Sequence, residues 1–123
     1  MAARQATRPG KVPHVELKVS SRSQADYTVV AASGEIDLYT APRLAAELNS
    51  VLSKGDAARI VVDMSGVEFC DSTGMNVLLS GLKRAREQGG GLELAAPRPA
   101  VRKILQVTGL DAVFTVLDHV GDR

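Results

Sequence analysis

Val67-Glu68-Phe69-Cys70-Asp71-Ser72-Thr73-Gly74-Met75 lies between two apolar segments of different periodicity. Before it runs Ile60-Val61-Val62-Asp63-Met64, apolar except for Asp63, the pattern of a short strand covered on both faces. After it, Met75, Leu78, Leu79, Leu82 and Ala85 recur at helical spacing, with Lys83, Arg84, Arg86 and Glu87 on the solvent side. A strand leading into an amphipathic helix is the unit from which helix-covered parallel sheets are built. The turn between them carries a hydroxyl pair, Ser72 and Thr73, at the helix start. With Asp71 as N-cap, Ser72, Thr73 and Gly74 occupy the first three helical positions. Backbone N–H groups without intrahelical partners collect there, and the helix dipole favours negative charge. A phosphoryl group on Ser72 is therefore compatible with the fold while standing out to any docking partner.

Outward from this stretch, residues 14–19 alternate around Val15, Leu17 and Val19, which predicts a half-exposed first strand. Polar residues 20–26 predict a turn, and residues 27–33, ending at Gly34, a second strand pairing with the first as a hairpin. Thr40 predicts a helix N-cap, with Pro42 in the first turn and Leu44, Leu48, Val51 and Leu52 on one face. Lys54-Gly55-Asp56 closes that helix. Gly81, inside the helix after Ser72, costs ~1 kcal/mol relative to Ala and so predicts close packing against a neighbour. Gly89-Gly90-Gly91 ends this helix, and residues 92–95 predict a fourth strand. Pro99 opens a third helix with Val101, Ile104 and Leu105 inward and Gly109 as its stop, and residues 114–117 predict a short edge strand.

The order β-β-α-β-α-β-α-β implies an α/β fold in a single domain over residues 14–117. Its mixed four- to five-stranded sheet begins with a β-hairpin and continues by right-handed parallel crossovers, with helices packed on it. Residues 1–13, with Arg4, Arg8 and Lys11 and no acid before Glu16, are expected to form a flexible extension and not a secretory signal. Residues 118–123 are expected to be a C-terminal tail.

Hydrophobic residues make up 45% of the 123 and charged residues 24%, a globular composition that excludes global disorder. The net charge of +1 gives no footprint for nucleic acid or a membrane surface, and 3% aromatics leave little for base stacking. No apolar run approaches the roughly 18 residues of a spanning helix. Cys70 is the only cysteine, which rules out an intrachain disulfide and a cysteine metal cluster and fits a reducing cytoplasm.

Catalytic patterns find little support. His14 and His119 stand near opposite ends of the chain, in no spacing for a metal pair or a Ser-His dyad. The triple glycine ends a helix and lacks the Gly-Lys-Ser/Thr of a phosphate loop. Asp71-Ser72-Thr73-Gly74 superficially resembles an aspartic protease turn, but it is one residue too long and occurs once. Asp63 invites comparison with a phospho-accepting receiver domain, yet the first strand ends Val19-Ser20-Ser21 without the acidic pair that holds the cation. Asp63 is read instead as a strand-end hydrogen-bonding residue. No enzyme, metal site or cofactor is expected.

Two further segments join the Ser72 turn in a family resemblance. Gly34-Glu35-Ile36-Asp37-Leu38-Tyr39-Thr40-Ala41-Pro42 resembles the first loop and helix start of STAS domains, specifically of anti-sigma factor antagonists. Residues 60–74 resemble the family's central strand and phosphorylation loop. Residues 101–114, with Thr108-Gly109-Leu110, resemble its closing helix and turn. The match runs in order from about residue 27 to 117. Cys70 replaces a usually larger aliphatic residue and is expected to be a small buried hydrophobe.

The resemblance implies a STAS fold and a cytoplasmic anti-sigma factor antagonist, monomeric or weakly dimeric. Its unmodified form binds an anti-sigma factor that is also an ATP-dependent serine kinase, which frees the sigma factor. Phosphorylation at Ser72 ends the complex, and a PP2C-type phosphatase restores it. If the strands before the two loops are neighbours, the helix starts form one surface, with Asp37, Tyr39, Thr40, Asp71, Thr73, Gly74, Met75 and Asn76 as its partner-binding residues. Gly74 is expected to leave the backbone open to close approach, and Asn76, Ser80 and Lys83 lie along one side of the helix. Two alternatives stay open: a STAS scaffold subunit of a signalling complex, and a module binding nucleotide or lipid, neither with a working phospho-switch.

Overall fold

The computed structural model describes residues 16–55 and 57–122. The expectations for residues 1–15, Asp56 and Arg123 lie outside the described residues. The elements are β1 (Lys18–Ser23), β2 (Thr28–Ile36), α1 (Ala41–Leu52), β3 (Arg59–Cys70), α2 (Ser72–Glu87), β4 (Gly91–Ala95), α3 (Pro99–Thr108) and β5 (Val116–Leu117). Single 3-10 turns follow at Leu110–Ala112 and Val120–Asp122. The strands lie in chain order, β1-β2-β3-β4-β5, with β1 antiparallel to β2 and the remaining pairs parallel.

One apolar core explains why the helices form where they do. It takes Leu44, Leu48, Val51 and Leu52 from α1, Met75, Leu78, Leu82 and Ala85 from α2, and Val101 and Leu105 from α3. The sheet contributes alternate residues, Ile60, Val62 and Met64 of β3 and Leu92 and Leu94 of β4. Burying a leucine is worth roughly 1.5–3 kcal/mol, so this stripe outweighs the helix penalty of Gly81. A Cβ at Gly81 would lie 3.1 Å from Leu92 Cδ1 and 3.2 Å from Leu48 Cδ1, which is the close packing its position predicts. Gly109, at φ 78°, supplies the left-handed stop of α3.

On the opposite sheet face, Val29, Val61 and Ala95 are also buried. The Val120–Asp122 turn returns against β3, and Asp118 pairs with Arg102 at 3.1 Å.

Strand boundaries differ from the sequence expectation, and β1, expected over residues 14–19, starts only at Lys18. β1 continues through the polar residues to Ser23, and the hairpin closes between Gln24 and Tyr27 (N to O, 2.8 Å). An exposed edge strand needs ladder hydrogen bonds more than apolar residues. Phe114 is buried and donates its N–H to Leu110 O at 2.9 Å, so it completes the 3-10 turn and β5 starts only at Val116.

The largest difference is β3, which runs on to Cys70. β3 passes from Asp63 to Gly66 while β2 advances from Ala31 to Ser33, and from Val67 to Phe69 while β2 advances from Gly34 to Glu35. Each step inserts one extra residue into β3. The bulges keep Val67 and Cys70 pointing into the core after simple alternation has failed. Asp63 thus sits within the strand, before the first bulge, where its Oδ1 accepts from Ser65 N at 3.0 Å. β2 likewise passes through Gly34 to Ile36.

Candidate functional site

The parallel register sets Ile36 beside Cys70, so β2 and β3 end together and both feed helices from the same edge. Asp71 N donates to Ile36 O at 3.0 Å and ties the two junctions directly. The condition for a shared surface at the two helix starts is therefore met.

At the second junction Asp71 is extended (φ −89°, ψ −175°), and its Oδ1 accepts from Gly74 N at 3.0 Å. This is the N-cap geometry expected from the sequence, with Ser72 first in the helix. Ser72 is exposed and Thr73 half-buried. Gly74 and Met75, expected at the partner surface, are both buried. A Cβ at Gly74 would lie 2.5 Å from Ile36 Cγ2 and 2.6 Å from Cys70 Sγ, so the glycine admits the chain's own core and does not open the backbone to a visitor.

The first junction is built differently. Asp37 Oδ1 accepts from Tyr39 N (2.9 Å) and Thr40 N (3.0 Å), forming an Asx turn. Thr40 occupies the N-cap position of α1 but does not cap α1 with its side chain. Its hydroxyl turns back, donating to Glu35 O at 2.8 Å and accepting from Asp37 N at 2.9 Å. At 6% exposure Thr40 holds the loop from within, and a direct partner contact is replaced by an internal one.

Around Ser72, Tyr39 is 81% exposed, Leu38 63% and Phe69 44%. Leu38 and Phe69 were not singled out from the sequence. Leu38 breaks no periodic pattern, and Phe69 lies in a stretch whose pairing with β2 is not visible in the sequence.

Along α2, Thr73, Asn76 and Ser80 line a groove facing Ala45, Leu48 and Asn49 of α1, where Arg84 Nη1 donates to Asn49 Oδ1. Lys83 belongs to a different groove, with Leu79, Arg86 and Val113, so it does not share a lining with Asn76 and Ser80.

Cys70 is fully buried, and its thiol is pushed up to about 12 by burial, then by the neighbouring Asp71 carboxylate. It is a packing group with no thiolate at neutral pH. Among the described residues, no group of three or more His, Cys, Asp or Glu could hold a metal ion, and no helix is long and apolar enough to cross a membrane.

The family model described as "Mlab, STAS domain" matches residues 19–118. The chain is similar to the anti-sigma-B factor antagonist of Bacillus subtilis (strain 168), 28% identical over 102 residues, 83% of this chain and 92% of that protein. It is similar to an anti-sigma F factor antagonist of Paenibacillus polymyxa, 23% identical over 105 residues, 85% of this chain and 90% of that protein. The crystal structure of an anti-sigma factor antagonist from Mycobacterium paratuberculosis matches with a TM-score of 0.79 and 30% identity, over 87% of this chain and 90% of that one.

Proposed function

The chain belongs to the STAS-domain family of anti-sigma factor antagonists, and from that premise we propose that its unmodified form binds an anti-sigma factor serine kinase and so releases a sigma factor in the cytoplasm. Phosphorylation of Ser72 turns the binding off. The observation that carries this reading is the exposed Ser72 hydroxyl at the first position of α2, flanked by the tied end of β2.

In the transfer, the Ser72 Oγ–P bond forms as the γ-phosphoryl bond to ADP breaks. The hydroxyl proton passes to a base supplied by the kinase. The modified serine gains about −1.5 to −2 charges beside Asp71, with Asp37 on the adjoining junction. The α2 N-terminus keeps that charge compatible with the fold, whereas a partner surface must desolvate it. Every 1.4 kcal/mol so lost weakens binding about tenfold. A PP2C-type phosphatase hydrolyses the ester and resets the switch. Ser72, Asp37, Tyr39, Asp71, Thr73 and Asn76 form the docking face, with Thr40, Gly74 and Met75 supporting it from inside.

The test is phosphorylation and binding with Ser72→Ala and Ser72→Asp. The alanine variant is expected to bind the kinase constitutively and take no phosphate, and the aspartate variant to bind at least about tenfold more weakly. Phosphate mapped only to other residues overturns the assignment.

A further inference from the structure

We propose that Leu38, Tyr39 and Phe69 are the apolar anchors that seat the kinase on this face, and that the kinase surface meeting them is an apolar socket rimmed by lysine or arginine. The proposal rests on the partner reading of Ser72 and names residues and partner chemistry beyond it.

Five large hydrophobic residues are exposed among the described ones, and three of them, Leu38, Tyr39 and Phe69, lie at the ends of β2 and β3. The register pairs Glu35 with Phe69 and Ile36 with Cys70, so the loop carrying Leu38 and Tyr39 begins beside Phe69. Ser72 follows Phe69 by three residues, and the bond from Asp71 N to Ile36 O ties its junction to that loop.

The loop is held before any partner arrives. Asp37 Oδ1 fixes the N–H groups of residues 39 and 40, the Thr40 hydroxyl bridges Asp37 N and Glu35 O, and Ala41 N donates to Asp37 O at 2.8 Å. Large apolar side chains on such a preorganised turn lose little backbone freedom on binding, which is how a few residues come to dominate an interface.

Charge selects the partner. Residues 23–42 and 60–82 contain no lysine or arginine, while Glu35, Asp37, Glu68 and Asp71 stand at the ends of the two strands. Arg43, just inside α1, is paired with Glu16 at 3.2 Å. An acidic rim around an apolar centre complements cations on the partner. The nucleotide phosphates of a kinase approach the Ser72 hydroxyl itself, so a phosphoryl group there meets like charge at the centre even though the rim attracts.

The experiment is steady-state phosphorylation of the full chain by the anti-sigma factor kinases encoded in the same genome. Leu38→Ala, Tyr39→Ala and Phe69→Ala are compared with Val107→Ala, a 74% exposed valine on α3. KM is expected to rise about tenfold or more for Tyr39→Ala and less for the other two, with kcat unchanged. Val107→Ala is expected to match the wild type, and KM to rise with salt concentration. Phe69→Leu is expected to keep a near-wild-type KM if the alanine variant loses thermal stability. Wild-type KM in all three alanine variants, or a loss confined to kcat, overturns the anchors and leaves the Ser72 switch standing. Salt-independent KM overturns the basic rim. If no such kinase phosphorylates the wild-type chain on Ser72, the switch and the anchors fall together.

Discussion

Four residues, Asp37 to Thr40, connect β2 to α1, whereas a single residue, Asp71, connects β3 to α2. The longer junction spends its polar groups on itself: Asp37 and Thr40 satisfy each other's backbone, and the apolar Leu38 and Tyr39 are left outside. The shorter one spends its only linker residue on a cap and leaves a hydroxyl, Ser72, outside. A self-satisfied loop holds a fixed shape that a partner can grip. A one-residue junction places a modifiable group at a helix start without a flexible lead. The hydrogen bond from Asp71 N to Ile36 O keeps the two in one register.

Gly74 is where the comparison breaks most readily, because it is packed against both junctions. Gly74→Ala would force its Cβ against Ile36 and Cys70 and is expected to cost about 1–3 kcal/mol. Thermal denaturation measures the loss, and a wild-type melting temperature would show that the junctions are not packed as described. Thr40→Val keeps the shape but strands the backbone groups of Asp37 and Glu35. It is expected to cost about 1–3 kcal/mol and to raise amide hydrogen exchange across residues 37–41.

Asp71→Ala removes only the bond to Gly74 N and is expected to cost about 1 kcal/mol, read as a smaller shift in denaturant midpoint than for Thr40→Val. Ser72→Ala is expected to change stability by no more than about 0.5 kcal/mol, since the side chain is exposed. A ranking in which Ser72→Ala exceeds Asp71→Ala would reverse the division between a capping residue and a signalling one.

Much of this was legible in the residues. The stripes Leu44-Leu48-Val51-Leu52 and Met75-Leu78-Leu82-Ala85, the stops at Gly109 and the Asp71 cap all follow from local period and local hydrogen bonding, and the structure has them. What stayed hidden depends on long-range pairing. The bulges of β3 are properties of its register with β2, so residues 65–70 read as loop although they are strand. The first bulge turns Val67 into the core, which alternation from Ile60, Val62 and Met64 could not assign, and the second returns Cys70 to that face. Smallness at a helix start, as at Gly74, suits both a visitor and a packed neighbour, and Ile36, 38 residues earlier in sequence, together with Cys70 decides for the packed neighbour. The direction of the Thr40 hydroxyl is another such case, since capping forward and bridging backward use the same atom.

The most direct measurement is the affinity of the kinase for the native chain against the same chain carrying phosphate on Ser72 alone, at one ionic strength. The account predicts that the phosphorylated form binds at least about tenfold more weakly while its melting temperature stays near that of the native form. Equal affinities, with the fold intact, would contradict it.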